Sequence, residues 1–199
     1  MRVGRFAFGA LACVLVLSGC AVLGGGSKPL DTFELTAAPV ASAPHGKTRR
    51  QVLVAEPTAL KALDSESIVV KPSAKSIQYL GGAQWADRLP RIVQARLAET
   101  LQRSGRFGGV GRPGDGLAID YQILTDIRSF EVRLDGGKRA EVQLFVQVLN
   151  DRNGVVRASR LFTAAAPVSG EGADAFVAGL DSAFHKSALD ILDWLSPLM

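Results

Sequence analysis

The alternation of apolar and polar residues over residues 116–167 restricts the fold more than any other feature of this sequence. Three stretches within it alternate with a period of two, the spacing of a β-strand that buries one face. The turn sequences LDGGKR and DRNG separate the stretches and are short enough to form hairpins. The segment therefore predicts a three-stranded antiparallel meander.

The first strand of this meander contains a change of parity. Its apolar residues occupy odd positions up to Ile127, whereas Phe130 and Val132 continue the pattern on even positions. One face can stay buried across such a change only if the strand carries an extra residue. We therefore expect a bulge near Arg128 and Ser129.

Two amphipathic helices are predicted on either side of the meander, over residues 84–105 and 173–195. Each range carries apolar residues along one stripe at helical spacing, with most charged residues off the stripe. Gly105 and Pro197 are typical of helix ends. Pro90 leaves two alternatives for the first helix: it begins near Asp87, with the proline in its first turn, or it is kinked.

Four shorter strands are predicted upstream, over residues 31–38, 51–57, 66–72 and 75–80, with a turn around Pro72 and Ser73. Each helix has one apolar stripe to bury and the meander has one apolar face to cover. We therefore expect an α+β fold with a single mixed, largely antiparallel sheet and both helices packed on one face.

The N-terminus has the organisation of an exported lipoprotein. A basic start is followed by an apolar stretch over residues 6–17, which is too short to span a bilayer securely. The sequence LSGC that follows resembles a bacterial lipobox. It predicts a signal peptide over residues 1–19, cleavage between Gly19 and Cys20, and lipid attachment to Cys20.

This assignment divides the rest of the chain in two. Residues 20–30, rich in glycine, are expected to form a flexible tether, and residues 31–199 a single periplasmic domain. The other cysteine, Cys13, lies in the segment to be removed. The mature chain is therefore expected to have no cysteine for a disulfide, for catalysis or for a metal.

The charge balance gives no electrostatic reason to expect nucleic acid as a partner. The chain has 23 basic and 19 acidic residues, a formal charge of +4. Two of the basic residues, Arg2 and Arg5, belong to the signal peptide, which leaves 21 against 19, or +2. A nearly neutral domain lacks the basic footprint of a nucleic-acid-binding protein.

No residue pattern predicts a catalytic, cofactor-binding or metal-binding site. Residues 109–114, GVGRPG, match a dinucleotide motif in letters, but they follow a predicted helix and precede a strand, so a loop is expected. Asp181, Ser182 and His185 are neighbours on one helix and cannot converge as a catalytic triad. We expect His185 to lie at the surface beside Asp181, and no enzymatic activity.

The two tryptophans, Trp85 and Trp194, open and close the predicted helices. Each could dock a partner or a lipid, but large aromatic residues on an apolar helix stripe usually pack into the protein. Asp120 and Asp126, on the polar face of the sheet, are expected to face water.

Taken together, the lipobox, the strand TFELTAAP, the run from IVV through IQYL to QWADRLPRIVQARLAETL and SGRF, the meander and the closing helix resemble the ABC-type transport auxiliary lipoproteins. These proteins accompany MCE-domain systems, which move lipids or other hydrophobic molecules between Gram-negative membranes. Phe33, where the family usually has tyrosine, and Pro90 depart from the pattern. The first-helix residues that carry the resemblance are Trp85, Asp87, Leu89, Leu97 and Leu101.

The resemblance implies a non-enzymatic periplasmic domain that meets an MCE-domain protein and its ABC permease and ATPase. Because Ala21 follows Cys20, with no aspartate to retain the protein in the inner membrane, the outer membrane is expected. Some relatives form rings, so the resemblance also suggests a homo-oligomer. The partner-binding residues and the cargo are not predicted.

Two other functions remain open at this point. A structural envelope lipoprotein that helps to assemble outer-membrane or secretion machinery would have the same anchor and a similar small domain. A periplasmic hydrolase would need a convergent nucleophile and base, which the sequence does not display.

Overall fold

The computed structural model describes residues 29–40 and 48–199. Within these residues one open, mixed sheet of nine strands packs against two α-helices, which confirms the expected α+β class. In chain order the elements are β1 (Asp31–Phe33), β2 (Gln51–Val54), β3 (Thr58–Ala59), β4 (Ser67–Ser73), β5 (Ser76–Trp85), α1 (Leu89–Ser104), β6 (Gly109–Gly111), β7 (Tyr121–Arg133), β8 (Arg139–Asn150), β9 (Val156–Pro167), α2 (Gly172–Leu195) and a 3₁₀ turn, Ser196–Leu198.

Strands β7, β8 and β9 form the predicted antiparallel meander. The register of β7 against β8 shifts between Ile127 and Ser129, so the bulge predicted from the parity change is confirmed. The extra residue, Arg128, is exposed, and Phe130 and Val132 return to the buried face. The bulge therefore keeps one face of a long strand in the core.

The other edge of β7 pairs in parallel with three short strands in succession. Strand β2 pairs with residues 121–123, β3 with residues 126–127 and β4 with residues 131–133. Strand β6 extends the sheet beyond β2, and β5 and then β1 extend it beyond β4. The long strand β7 thus joins the N-terminal strands to the meander.

Both helices cover the face of the sheet that carries the apolar residues of the meander. Side chains of α1 and α2 share one buried cluster with the inward residues of β8, of which Val142, Leu144 and Val148 have no exposed area. Helix α2 lies close to the sheet at Gly179, where an added Cβ would be 2.8 Å from Val168 Cγ2. Apolar burial on this one face is the main stabilising contribution to the fold.

The first helix is shorter than the sequence pattern indicates. Helix α1 begins at Leu89 with Pro90 in its first turn, so the first of the two alternatives holds. It ends at Ser104 and is capped by Gly105 in a left-handed conformation (φ 63°). Trp85 is not on the helix but ends β5, a correction to the prediction. Its ring is 1% exposed and meets the ring of Phe130 edge-on at 6.1 Å, which confirms the packing role.

Several boundaries in the N-terminal half also differ from the predictions. The β4–β5 turn lies at residues 74–75, because the ladder of these strands closes at Ser73 and Ser76 and draws Pro72 into β4. Within residues 109–114, Gly109–Gly111 form strand β6 and not a loop, because they pair with the edge of β2. Strand β1 ends at Phe33, and Ala38 downstream donates its N–H to Thr100 Oγ1 instead of to a strand.

Strand β7 begins at Tyr121, five residues later than the alternation indicates. Leu117 is 39% exposed and lies outside the sheet. The residue before the strand, Asp120, uses its carboxylate to accept the backbone N–H of Gln51 at 3.0 Å, which fixes where β7 joins β2.

Candidate docking surface

The predicted lipid attachment at Cys20 and the cleavage after Gly19 lie outside the described residues, as does most of the tether. The lipid attachment at Cys20 and the cleavage after Gly19 therefore stay predictions. The first described residues of the tether, Pro29 and Leu30, lead directly into β1 at one side of the sheet.

His185 lies at the surface beside Asp181, as the sequence indicated, and the structure adds Thr36 to the pair. Nε2 of His185 is 2.8 Å from Thr36 Oγ1 and 3.5 Å from Asp181 Oδ2. Asp181 accepts both the backbone N–H of Thr36 at 2.8 Å and its hydroxyl at 2.7 Å. A signal for Thr36 was absent from the sequence because 145 residues separate it from Asp181.

This cluster does not have the geometry of a nucleophile, base and orienting carboxylate. Such a relay places the carboxylate and the nucleophile on opposite ring nitrogens of the histidine. Here Asp181 and Thr36 both approach Nε2 of His185. The arrangement fastens residues 34–40 to α2 and holds the chain that enters the domain from the tether.

The part of the chain that the structure describes contains no cluster of three histidine, cysteine, aspartate or glutamate residues that could hold a metal ion. None of its helices is both long and apolar enough to cross a membrane.

The outer face of the sheet, opposite the helices, carries a charged network around Glu131. Glu131 is only 7% exposed and lies 3.5 Å from Lys71 and from Arg133. Arg133 donates two hydrogen bonds to Asp135, at 3.0 Å and 2.7 Å. This pairing lowers the pKa of Asp135 and raises that of Arg133, so both groups stay charged and satisfy each other.

Asp120 and Asp126 were expected to face water. The side chain of Asp126 is 44% exposed, as expected, whereas that of Asp120 is 18% exposed and makes specific contacts. The N–H of Gln51 is the main cause that lowers the pKa of Asp120, and the guanidinium of Arg50, at 3.3 Å, adds to it. Asp126 accepts a hydrogen bond from the hydroxyl of Thr58 at 3.3 Å. These carboxylates tie the short parallel strands to β7.

An open groove of about 590 Å³ lies beside β5, next to Leu30. It is produced by extra residues in β5: Val69 faces Tyr79, whereas Ser67, two residues away, already faces Gln84. Gly82 adopts φ 76° within this irregular stretch, a conformation that favours glycine. The groove is open, and its lining combines Leu30, Tyr79 and Leu80 with backbone and with polar side chains.

Arg88 also lines this groove. Its Nε donates to Asp64 Oδ1 at 2.8 Å and its Nη1 to Glu56 at 3.1 Å. The hydrogen bond to Asp64 is the largest cause that raises the pKa of Arg88. The guanidinium is therefore engaged with residues of its own chain and has little capacity left for an anionic ligand.

Strand β9, at the opposite side of the sheet, has two unlike halves. The covered half, residues 162–167, alternates between buried residues under α2 and exposed ones. The ring of Phe162 is 3% exposed and meets Trp194, in the last turn of α2, edge-on at 5.4 Å, so Trp194 also packs as expected. The overhanging half, residues 156–161, has no buried residue, and Val156 and Leu161 are 44% and 43% exposed.

The sequence pattern does not reveal this surface, because VRASRL predicts a strand like any other. The available indication was its composition, since β9 contains two arginines and no acidic residue over its whole length.

Comparison with known proteins relates this arrangement to one family. A model of the ABC-type transport auxiliary lipoprotein component family matches residues 33–192. An uncharacterized protein of Bradyrhizobium diazoefficiens is 32% identical over 182 residues, which cover 90% of this chain and 49% of the relative. The chain thus spans about half the length of that curated relative.

Solved structures share the architecture. A crystal structure of a protein from Xanthomonas campestris superposes with a TM-score of 0.77 at 25% identity, covering 84% of this chain and 95% of that one. A second crystal structure, of an uncharacterized protein, gives a TM-score of 0.69 at 15% identity, covering 85% of this chain and all of the other. The second likeness concerns the fold alone.

Proposed function

The chain belongs to the family of ABC-type transport auxiliary lipoprotein components, and on that premise we propose that it is the non-enzymatic accessory subunit of an MCE-type transporter. In this function the domain is held at the periplasmic face of a membrane and binds the MCE-domain protein of a system that moves lipids or other hydrophobic molecules. Its contribution is to position a partner, and the transport work belongs to the permease and the ATPase.

The observation that carries this proposal is the family match, which runs from β1 to the last turns of α2 and so includes nearly the whole described domain. The surface chemistry supports it. The histidine cluster and the Arg88 cluster join segments of the chain to one another, as parts of a scaffold do. The exposed sheet edge at residues 156–161 offers area for a protein partner.

The anchor is part of the proposal. Lipid on Cys20 would hold the domain at the membrane, with residues 21–30 as the connection to β1. Each acyl methylene contributes about 0.8 kcal/mol to membrane binding, so several chains give a stable anchor. We place the protein in the outer membrane on the basis of Ala21 at the position after Cys20.

The test is crosslinking of the tagged full-length protein in its own cells, followed by identification of the recovered proteins. We expect the MCE-domain protein, and its loss in a strain that lacks the MCE gene. Recovery of only outer-membrane or secretion assembly factors would contradict the transport function and favour a structural envelope lipoprotein. Recovery of only further copies of the chain would also contradict it.

Cys20→Ser is the matched variant for the anchor. It removes the acylation site and leaves residues 29–199 unchanged, so we expect a folded protein that is no longer cleaved and lipidated. Labelling with radioactive palmitate should mark the wild-type protein and leave the variant unmarked. Equal labelling of both proteins would contradict the lipobox assignment.

A further inference from the structure

The outer edge of β9 presents backbone hydrogen-bonding groups that no strand of the described residues pairs with. Val168, just past the strand, donates its N–H to Lys138 O on the β8 side. The carbonyl of Ala165 instead accepts a hydrogen bond from Lys186 Nζ of α2 at 2.9 Å. The backbone N–H and C=O of Ala165 therefore point away from β8. Because the direction of the backbone N–H and C=O groups alternates along an antiparallel strand, those of Leu161 and Ser159 also point outward.

Lys186 blocks this edge only beside the covered half of β9. Its ammonium group donates a hydrogen bond to the carbonyl of Ala165. Helix α2 ends near Phe162, against which Trp194 packs. The outward N–H and C=O groups of Ser159 and Leu161 lie beyond the helix end. Exposed edges of this kind are templates for pairing with another extended chain.

Two arginines of the overhanging half are held in place by aromatic rings. Arg157 donates to Tyr121 Oη at 2.8 Å, and its guanidinium lies 5.6 Å from the centre of that ring. Arg160 lies 5.1 Å from the centre of the Phe162 ring. Within the described residues neither arginine forms an ion pair. Both positive charges are thus ordered on the overhanging half without a carboxylate to neutralise them. Arg160 lies on the edge strand itself, whereas Arg157 extends across β8 to Tyr121 of β7.

From this combination we infer that residues 156–161 bind an extended, acidic segment of a partner protein, which adds as a further strand to the sheet. The inference rests on the proposed function in that the partner is the MCE-domain protein. The backbone of Ser159 and Leu161 gives the pairing, the side chains of Val156 and Leu161 give apolar contact, and Arg160 selects acidic residues.

The charges argue against a second copy of this strand as the occupant. Two-fold pairing of β9 with itself would bring together two copies of Arg160 on the paired strands, and β9 has no carboxylate to offset them. Like charges facing each other across a strand pair are unfavourable. An acidic segment would instead place carboxylates opposite the arginine, which is favourable.

Ser159→Pro is the sharpest variant for this edge. Its lost N–H is an outward donor, so the proline removes one bond to the added strand and leaves the ladder to β8 intact. Ser159→Ala is the matched control because it changes the same side chain and keeps the N–H. Arg160→Glu tests the charge separately.

The binding probe is a pair of synthetic peptides of about eight residues, one alternating valine with glutamate and the other valine with lysine. We expect the full-length protein in detergent to bind the glutamate peptide about tenfold more tightly at low salt, with reversal in Arg160→Glu. Ser159→Pro should lose binding and Ser159→Ala should keep it. Equal affinity for both peptides, or binding that Ser159→Pro leaves unchanged, would overturn the inference.

In cells, a photo-crosslinking residue at position 161 should form an adduct with an acidic stretch of the MCE-domain protein, and one at position 77, on β5, should not. An adduct with a second copy, or none at position 161 while the MCE-domain protein is still recovered, would overturn the docking edge and leave the proposed function standing. If crosslinking of the whole tagged protein does not recover the MCE-domain protein either, the proposed function fails, and the peptide pair still decides the edge.

Discussion

The two halves of β9 belong to one strand and pair with the same neighbour, yet their surroundings are opposite. In the covered half, every second residue is buried under α2, and Lys186 occupies the outward carbonyl of Ala165. In the overhanging half, every side chain has exposed area and the outward groups have no partner within the described residues. The difference arises because the strand extends past the end of the helix.

The comparison teaches that strand pairing does not reveal whether a strand serves stability or binding. Both halves pair with β8, with one register shift at Arg157 in the overhanging half. Only the covered half contributes substantial apolar burial, and burial is the larger contribution to stability. We therefore expect substitutions in the two halves to separate stability from partner binding.

The largest expected effect is that of Phe162→Ala. It removes a buried ring and its contact with Trp194, so the free energy of unfolding should fall by about 3–5 kcal/mol. Urea unfolding monitored by circular dichroism measures it. Leu161→Ala, one residue away in the overhanging half, is the matched control and should cost less than about 1 kcal/mol. Similar losses for the two variants would show that the halves do not differ in burial.

An intermediate effect on stability is expected for Asp120→Asn. This residue directly precedes β7. Asp120 pairs with Arg152 at 3.4 Å in the β8–β9 turn and accepts the N–H of Gln51. Loss of the charge should cost about 1 kcal/mol near neutral pH, measured by urea unfolding.

The cost of Asp120→Asn should depend on pH with a definite sign. The N–H of Gln51 lowers the folded-state pKa of Asp120, so its contribution is complete above the ordinary carboxyl pKa of about 4 and is lost as the pH falls through the lower folded value. The wild-type and variant proteins should therefore approach each other in stability below about pH 4. A difference that is constant from neutral to acidic pH would contradict this origin.

The smallest expected effect is that of Lys186→Ala, which frees the outward carbonyl of Ala165. Because this contact is at the surface, we expect a loss of about 0.5 kcal/mol, together with a longer open edge. The glutamate peptide should then bind at least as well as to the wild-type protein, whereas Lys186→Arg should behave as the wild type does. Weaker peptide binding by Lys186→Ala would show that α2 takes part in docking.

The period-two pattern of residues 116–167 was sufficient to predict the meander and its bulge. Each residue there reports the burial of its own face, and the turns between strands are short, so the information is local. The helical stripe of α2 was predicted for the same reason. The lipobox predicts a lipid anchor at Cys20 from consecutive residues alone, so this prediction is also local.

Local pattern failed where an element obtains its structure from a distant neighbour. Trp85 fits a helical stripe, but pairing with β1 and β4 draws it into β5. Thr36 contacts His185 only because the fold brings the two ends of the domain together. A single sequence does not specify such pairings, since they depend on the closure of long loops and on which partner completes the core.

The sequence by itself thus determined the elements whose burial repeats at a fixed spacing, together with the predicted lipid anchor. Only the tertiary structure decided that β2, β3 and β4 share one edge of β7, and that β9 extends past α2. The physical reason is that periodicity encodes which face of an element is buried, whereas the place where one element ends over another is set by packing between segments far apart in the chain. For this protein, the surface proposed to bind a partner lies at such a place.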